Sequence, residues 1–421
     1  MEAYIVDWLN LFSRWVHFIT GIAWIGSSFY FVWLDNHLLP VADKSDEDKG
    51  VAGEVWSVHG GGFYHAQKYR VAPGQLPDTL HWFKWEAYTT WITGMFLLAL
   101  IYWYGAEIYL VDRSVADLSQ PAAIGAAVAF LIGGWVVYDL LCKSPLGKND
   151  AALGGVIFAL LIVAAWGMCE LFSGRGAYIH FGAMLGTIMV ANVFFVIIPG
   201  QSRMVEATRE GRTPDPDDGI RGKQRSVHNT YFTLPVLFVM ISIHYAMTFG
   251  HEYNWLILIA ISLAGVLIRI YFVARHKGKA SLLPVALALL ILLGVAAAIA
   301  PHAPRTTRAT DAADTGTTTG PIDGAQAGAP MTFADIVTIV QARCTTCHGA
   351  VPTFAGFPAA PAGVELDQPE QIAKEALRIY QQTVITRIMP IGNLTQMTDE
   401  ERMTIDRWYR DGATIDWIGA H

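Results

Sequence analysis

Eight apolar runs, each about as long as a bilayer is thick, constrain this chain more than any other feature. Crossing the hydrocarbon of a membrane takes roughly 20 helical residues. The chain of 421 residues is 53% hydrophobic and only 15% charged, whereas soluble chains carry about 25% charged residues. We therefore predict an all-α fold based on an eight-helix transmembrane bundle. The predicted helices lie near residues 8–34, 85–104, 121–141, 152–170, 178–198, 228–249, 254–274 and 281–300.

The loops between these runs differ in positive charge, which predicts the orientation of the bundle. Cytoplasmic loops of membrane proteins are enriched in Lys and Arg. The first, third, fifth and seventh loops hold most of these residues, whereas the second, fourth and sixth hold only Arg113 and Arg175. No Lys or Arg precedes the first run. The pattern predicts that both chain termini lie outside the cytoplasm.

The composition of the chain changes after the last apolar run. Residues 301–330 consist mainly of Ala, Thr, Gly, Pro and Asp, which cannot form a core and predict a flexible linker. Residues 331–421 have the patterning of a soluble domain, in which Thr332 and Thr398 each precede a predicted helix. We therefore predict a transmembrane domain at residues 1–300, then the linker, then a soluble C-terminal domain.

The C-terminal domain contains a C-x-x-C-H motif formed by Cys344, Cys347 and His348. In this motif two thiols bind the vinyl groups of heme c covalently, and the histidine ligates the iron. A zinc site is the alternative, but the domain has no second Cys/His pair for it. The second iron ligand is predicted to be Met389, which precedes a proline ahead of the last helix, with Met397 as the alternative. The motif predicts a class I-like cytochrome c domain. Heme c is attached outside the cytoplasm in bacteria, and the predicted orientation also places the C-terminal domain outside the cytoplasm.

Ionisable side chains also occur inside the apolar runs, where they are costly and often functional. His17, His180 and His244 all lie towards the outer side in the predicted orientation. Imidazoles on facing helices can hold heme b or another metal within a bundle. We predict that His17, with His244 or His180, binds a second redox centre. Hydrogen-bonded structural histidines are the alternative.

Polar and aromatic residues are concentrated at the cytoplasmic ends of the predicted helices. They occur in residues 59–69, 81–86 and 228–231. The glycines at 60–62 would let the backbone approach a ligand closely, and the aromatic rings suit a flat polar heterocycle. These segments predict a substrate pocket on the cytoplasmic side.

Residues 14–26, RWVHFITGIAWIG, and residues 85–91, WEAYTTW, together with the C-terminal cytochrome, resemble the bacterial membrane-bound urate oxidases of the PuuD type. The resemblance covers essentially the whole chain. It implies a bacterial inner-membrane oxidoreductase of purine catabolism that converts urate to 5-hydroxyisourate. Electrons would pass to the fused heme c and on to a periplasmic cytochrome c or terminal oxidase, and water would supply the oxygen. The first-helix pattern also resembles membrane proteins that use a histidine there for heme, which favours His17.

This reaction requires a base and a cation that holds the urate anion. The candidates for the base are His59, His65, His81, Glu86 and His228. The candidates for the cation are Lys68, Lys84 and Arg14, the last of which would place the pocket on the outer side.

The charge of the chain bears on its binding partners. A net charge of −7 gives no basic surface for nucleic acid, and a homo-oligomer is compatible with the sequence. A respiratory electron-transfer subunit, which takes electrons from quinol and has no organic substrate, is the alternative function.

Overall fold

The computed structural model describes residues 2–276, 281–300, 332–354, 357 and 359–416. The chain divides into two compact units, Met1–Val295 with Ile391–Asn393, and Ala296–Pro390 with Leu394–His421. The predicted linker at residues 301–330 lies outside the described residues.

The first unit is mostly helical. Its α-helices and strands are α1 (Glu2–His37), α2 (Lys44–Asp48), β1 (Val51–His59), β2 (Gly62–Tyr69), α3 (Trp85–Leu98), α4 (Ala106–Tyr109), α5 (Gln120–Lys143), α6 (Asp150–Leu171), α7 (Gly174–Ala191), α8 (Ile198–Arg209), α9 (Pro216–Ser242), α10 (Ala246–Phe249), α11 (Asn254–His276) and α12 (Leu283–Ala298). The unit also contains two π-helical turns and a 3₁₀ turn. The π-helical turns are Ala99–Trp103 after α3 and Asn192–Ile197 between α7 and α8, and the 3₁₀ turn is Pro145–Lys148.

Several of these helices have the length and composition of membrane spans. Each predicted apolar run overlaps a helix. Within the described residues, five helices are long and apolar enough to cross a membrane, and α12 is apolar but has only 16 residues. The five spans are Tyr4–His37, Gln120–Lys143, Asp150–Leu171, Gly174–Arg209 and Asn254–Arg275. The helices are therefore compatible with membrane insertion.

The sixth predicted run differs most from the observed helix. α9 begins at Pro216 rather than near residue 228, because the Asp215 carboxylate accepts a hydrogen bond from the Asp217 backbone N–H at 2.9 Å and caps the helix. The helix ends at Ser242, before the predicted end at residue 249. His244 therefore lies outside α9, in the turn that leads to α10.

The all-α prediction is wrong for the first loop, which forms a β-hairpin. β1 and β2 pair in antiparallel fashion, with His59 opposite Gly62. Gly60 and Gly61 form the turn with φ of +58° and +82°, and positive φ at both central residues is the requirement of a type I′ turn. The glycines therefore serve the hairpin turn, whereas the sequence suggested a close approach to a ligand.

Close helix contacts hold the bundle together where small residues face larger ones. α7 packs against both α5 and α9, and α9 packs against α11. A Cβ atom added to Gly182 of α7 would lie 2.6 Å from Cγ1 of Val239 on α9. Since membrane helices gain stability from such close packing, α7 and α9 depend on the absence of a side chain at residue 182.

We expect Gly182→Ala to destabilise the bundle, because the new methyl group would force α7 and α9 apart. Overpacking of this kind costs about 1–3 kcal/mol. Gly186→Ala is the matched control, since a Cβ there meets nothing within 4 Å. The measurement is the melting temperature of both variants in detergent. Equal melting temperatures would contradict the close contact.

The second unit contains short helices around one core. They are α13 (Phe333–Arg343), α14 (Thr345–His348), α15 (Pro369–Lys374), α16 (Ala376–Tyr380) and α17 (Asp399–Arg410), with a π-helical turn at Gln381–Ile385 and a 3₁₀ turn at Pro361–Gly363. A further 3₁₀ turn, Ile391–Asn393, belongs to the first unit. Thr332 and Thr398 cap α13 and α17 as the sequence predicts, each within a capping box. The fully buried Trp408 and Ile405 of α17 pack in the core with Ile336 of α13.

Candidate functional site

A buried chain of polar side chains joins α5, the turn after α7, and α9. The Tyr138 hydroxyl lies 2.7 Å from Nδ1 of His228 and accepts a hydrogen bond from Nδ2 of Asn192 at 3.1 Å. Asn192 Nδ2 also donates to Oδ1 of Asn229 at 2.8 Å, and Asn192 Oδ1 accepts from Nη1 of Arg225 at 3.2 Å. Tyr138, Asn192 and Arg225 are all buried. Of these residues the sequence analysis named only His228 as a candidate.

The partners of this chain limit where its protons can lie. The Tyr138 oxygen accepts from Asn192, and in one of the two neutral tautomers of His228 the Tyr138 O–H donates to Nδ1. A neutral His228 that accepts at Nδ1 carries its proton on Nε2. In this tautomer the imidazole therefore presents a hydrogen-bond donor at the end of the chain.

Arg225 brings a permanent charge into this network. Its Nη2 donates to Oδ1 of Asp139 at 2.8 Å, and its guanidinium lies 5.0 Å from the centre of the Tyr138 ring. A buried charge is tolerated when it is paired and hydrogen-bonded. The signal that the sequence analysis missed is the pair Tyr138 and Asp139 inside an apolar run, with Asn192 inside another.

A second charged cluster lies at the start of α9. Arg203 donates through Nε and Nη2 to the Asp218 carboxylate at 2.9 and 2.5 Å, and Arg221 adds a bond of 2.9 Å. The Arg203 hydrogen bonds, with those of Arg221, lower the pKa of Asp218 to about 2. The carboxylate thus stays charged, and the stability that it contributes is lost only as the pH falls through that value.

The hairpin holds three of the sequence-predicted residues, and two of them are paired there. His65 lies 2.7 Å from the Glu54 carboxylate and stacks on Trp56, and Lys68 forms an ion pair of 2.6 Å with Asp35. The Ala42 backbone N–H and His65 lower the pKa of Glu54. The third residue, His59, is exposed at the hairpin tip next to the turn.

The segment before α3 holds the remaining cytoplasmic candidates. His81 lines a cleft of 290 Å³ between this segment and α8, together with Trp82 and Met204. Ligand pockets start at roughly 300 Å³, so this cleft suits a small molecule at most. Lys84 precedes α3 and lies over the Trp82 ring. Glu86 lies in the first turn of α3, and its Oε2 atom is buried with no hydrogen-bond partner in the described part of the chain.

The predicted intramembrane histidines have different surroundings. His17 Nδ1 lies 2.9 Å from the Thr90 carbonyl oxygen, and the structure gives its Nε2 no hydrogen-bond partner within the described residues. His180 is fully buried, with Nδ1 bonded to the Gly176 carbonyl at 2.8 Å and Nε2 accepting from Trp103 at 3.2 Å. Both nitrogens of His180 are thus used by the protein, which favours a structural role for this residue.

Among the described residues no hydrogen bond or ring contact joins two of these histidines, and His244 is exposed. Across the part of the chain that the structure describes, no cluster of three or more His, Cys, Asp or Glu side chains could hold a metal ion. Arg14, in the first half of α1, is exposed and its Nε donates to Oδ1 of Asn10 at 2.6 Å. The second redox centre and the outer pocket stay predictions.

The C-x-x-C-H motif spans the end of α13 and the short α14. Neither Cys344 nor Cys347 forms a disulfide, and burial raises the pKa of the Cys344 thiol to about 12. His348 Nδ1 lies 2.9 Å from the Val364 carbonyl oxygen. This bond fixes the ring and leaves Nε2 as the nitrogen that can bind iron.

The two candidate methionines differ in their packing. Met389 is half-buried, and its backbone carbonyl accepts a hydrogen bond of 3.0 Å from Arg402. Met397 is 3% exposed and packs in the core of the second unit with Trp408. A core position favours a packing role for Met397.

Comparison with known proteins assigns the first unit. Residues 3–300 match the family described as urate oxidase N-terminal, which is well over half of the chain. The chain belongs to the urate oxidase N-terminal family. The predicted resemblance to urate oxidases is thereby confirmed at the level of the family. Membership of this family indicates an oxidoreductase. No curated protein and no solved structure gave a match.

We expect Tyr138→Phe to lower the free energy of unfolding by about 1–3 kcal/mol, because it leaves His228 Nδ1 and one Asn192 N–H without a partner. Thermal unfolding in detergent measures the change. Tyr30→Phe is the control, since Tyr30 is 49% exposed. If Tyr138→Phe were as stable as the control, the hydrogen-bond chain would not contribute to folding.

Proposed function

We propose that this protein oxidises urate to 5-hydroxyisourate and delivers the electrons to heme c in its C-terminal unit. The observation that carries the proposal is one chain in which the urate oxidase N-terminal family is followed by a C-x-x-C-H motif with an oriented histidine. In this proposal the chain is a multi-pass protein of the bacterial inner membrane, with eight helices crossing and the cytochrome in the periplasm.

The residues of the second unit fit covalent heme c. Cys344 and Cys347 are the thiols for the two thioether bonds, and His348 is the first iron ligand. Met389 is the proposed second ligand, because Met397 is already packed in the core. Heme c, when bound, accepts one electron at a time, and a thioether ligand raises its reduction potential.

The reaction balances with water as the source of the oxygen atom, so it does not need O2. Urate and one water give 5-hydroxyisourate, two protons and two electrons. The electrons leave one at a time towards heme c, and then to a periplasmic cytochrome c or a terminal oxidase. The protein must therefore bind the anion, position water at the ring and accept a proton.

The contacts of the candidate residues indicate which of them are available to act as the base or to bind urate. His65 and Lys68 already pair with Glu54 and Asp35 on the hairpin, which argues against both. Glu86 is the better candidate for the base, because its Oε2 is buried and no described residue forms a hydrogen bond with it. His228 is suited to donate a hydrogen bond from Nε2 to a urate carbonyl, since its Nδ1 faces Tyr138.

The test is an anaerobic spectrum of the purified, oxidised protein before and after urate is added. We expect the bands of reduced heme c to appear and 5-hydroxyisourate to form without oxygen. A quinol is the comparison substrate. Reduction by quinol but not by urate would replace this proposal with the electron-transfer subunit.

A pair of variants tests the second iron ligand. We expect Met389→Ala to lower the reduction potential at normal heme content, because the thioether ligand is lost. Met397→Ala should leave the potential unchanged and reduce stability by about 2–5 kcal/mol, as for other buried methionines. Redox titration and thermal melting measure both effects, and the reverse pattern would assign the ligand to Met397.

A further inference from the structure

Arg269, near the end of α11, is a buried arginine with hydrogen-bond donors that the protein does not use. The residue is only 6% exposed. Its Nε and Nη2 atoms are buried and have no hydrogen-bond partner within the described residues. Leaving a charged group buried and unbonded is expensive, so this arrangement requires an explanation.

The two unused groups lie on the same edge of the guanidinium. Nε–H and one N–H of Nη2 point in parallel and together match two adjacent acceptor atoms. Arg203 shows what this edge does elsewhere in the same protein, because its Nε and Nη2 both bind the Asp218 carboxylate. Arg269 has the same edge available but no carboxylate beside it.

The surroundings of Arg269 suit a flat anion rather than a protein carboxylate. Phe29 of α1 covers the guanidinium, with its ring centre 4.0 Å from Cζ. The Tyr231 hydroxyl of α9 is close enough to interact electrostatically with the charge. Ser262 lies two turns earlier on the same face of α11, and no described residue forms a hydrogen bond with its buried hydroxyl.

This site lies where three helices meet. α1, α9 and α11 contact one another in pairs, and a Cβ on Gly265 of α11 would lie 3.1 Å from Cβ of Leu234 on α9. Pro235 in α9 has no N–H to donate to the Tyr231 carbonyl, so this backbone acceptor also lacks its helical bond. In the predicted orientation Phe29, Tyr231 and Arg269 lie in the cytoplasmic half of the membrane, and Ser262 lies near its middle.

We propose that Arg269 is the residue that binds the urate anion, through its Nε and Nη2 groups. The urate monoanion offers a deprotonated ring nitrogen next to a carbonyl oxygen, which are two adjacent acceptors in one plane. The inference rests on the proposed function, and it replaces Lys68, Lys84 and Arg14 as the cation. Arg269 is thereby a substrate-binding residue in the same predicted half of the membrane as Glu86 and His228.

Arg269→Met tests the proposal, because methionine keeps the length and apolar contacts of the stem but removes the charge. Arg275→Met is the matched control, since Arg275 lies on the same helix and is exposed. The oxidised, detergent-purified holoprotein is titrated with urate without oxygen. The readouts are the dissociation constant, the melting temperature with and without urate, and the pyridine hemochrome spectrum.

We expect Arg269→Met to weaken urate binding at least tenfold and to abolish the rise in melting temperature that urate gives the wild type. Without urate, this variant should melt at or above the wild-type temperature, because it no longer buries an unpaired charge. Arg269→Lys, which keeps the charge but lacks the parallel N–H groups, should bind with intermediate affinity. Arg275→Met should behave as the wild type.

Three outcomes would overturn the inference while leaving the proposed function in place, provided that the wild type binds urate. They are wild-type affinity in Arg269→Met, a large loss of stability in this variant without urate, and loss of a non-covalent heme from it. The last would show that Arg269 binds a heme carboxylate. A wild type that does not bind urate overturns the proposed function and this inference with it.

Discussion

Arg225 carries a permanent charge inside an apolar bundle, and its ion pair with Asp139 is the interaction on which the arrangement of the helices depends. Asp139 lies on α5 and Arg225 on α9, so the pair joins these two helices. Asn192 accepts from the same guanidinium and connects the turn after α7. An apolar environment offers no hydrogen bonds, so these three side chains must pair with one another. This requirement orients the three helices that carry them.

The three arginine clusters differ in the groups that complete them. Arg225 is completed by Asp139 and Asn192, and Arg203 by Asp218. Arg269 has an aromatic ring on its face, and none of the residues that the structure describes accepts a hydrogen bond from its Nε and Nη2 edge. The first two arrangements stabilise the fold by themselves, whereas the third fits a group that arrives from outside the chain.

The proposed binding site, in the half of the membrane predicted to be cytoplasmic, raises the question of how electrons would reach the proposed periplasmic heme. The hydrocarbon of a bilayer is roughly 30 Å thick, which is a long distance for a single electron step. His17 lies in the outer half of α1 in the predicted orientation, with Nδ1 held by α3. The predicted second redox centre would lie between the two ends of this path, so His17 has a clear place in the proposed mechanism.

The sequence predicts the helices well, because apolar length is a strong signal that each run carries by itself. It predicts the capping of α13 and α17 for the same local reason. The hairpin was missed although Gly60 and Gly61 are typical turn residues, because the apolar alternation of β1 is weak beside the membrane runs. The roles of Tyr138 and Arg269 depend on which helices become neighbours, and one sequence does not contain this information.

The π-helical turn at Asn192–Ile197 separates two registers within one long helix. Such a turn corresponds to one residue inserted into an α-helix. Each residue of an α-helix turns the chain by about 100°, so removing the extra residue would rotate everything that follows. α7 would keep its contacts, but Arg203 on α8 would face away from Asp218. The single extra residue therefore allows the two halves of this helix to meet different neighbours, and a one-residue deletion here should be far more damaging than most substitutions.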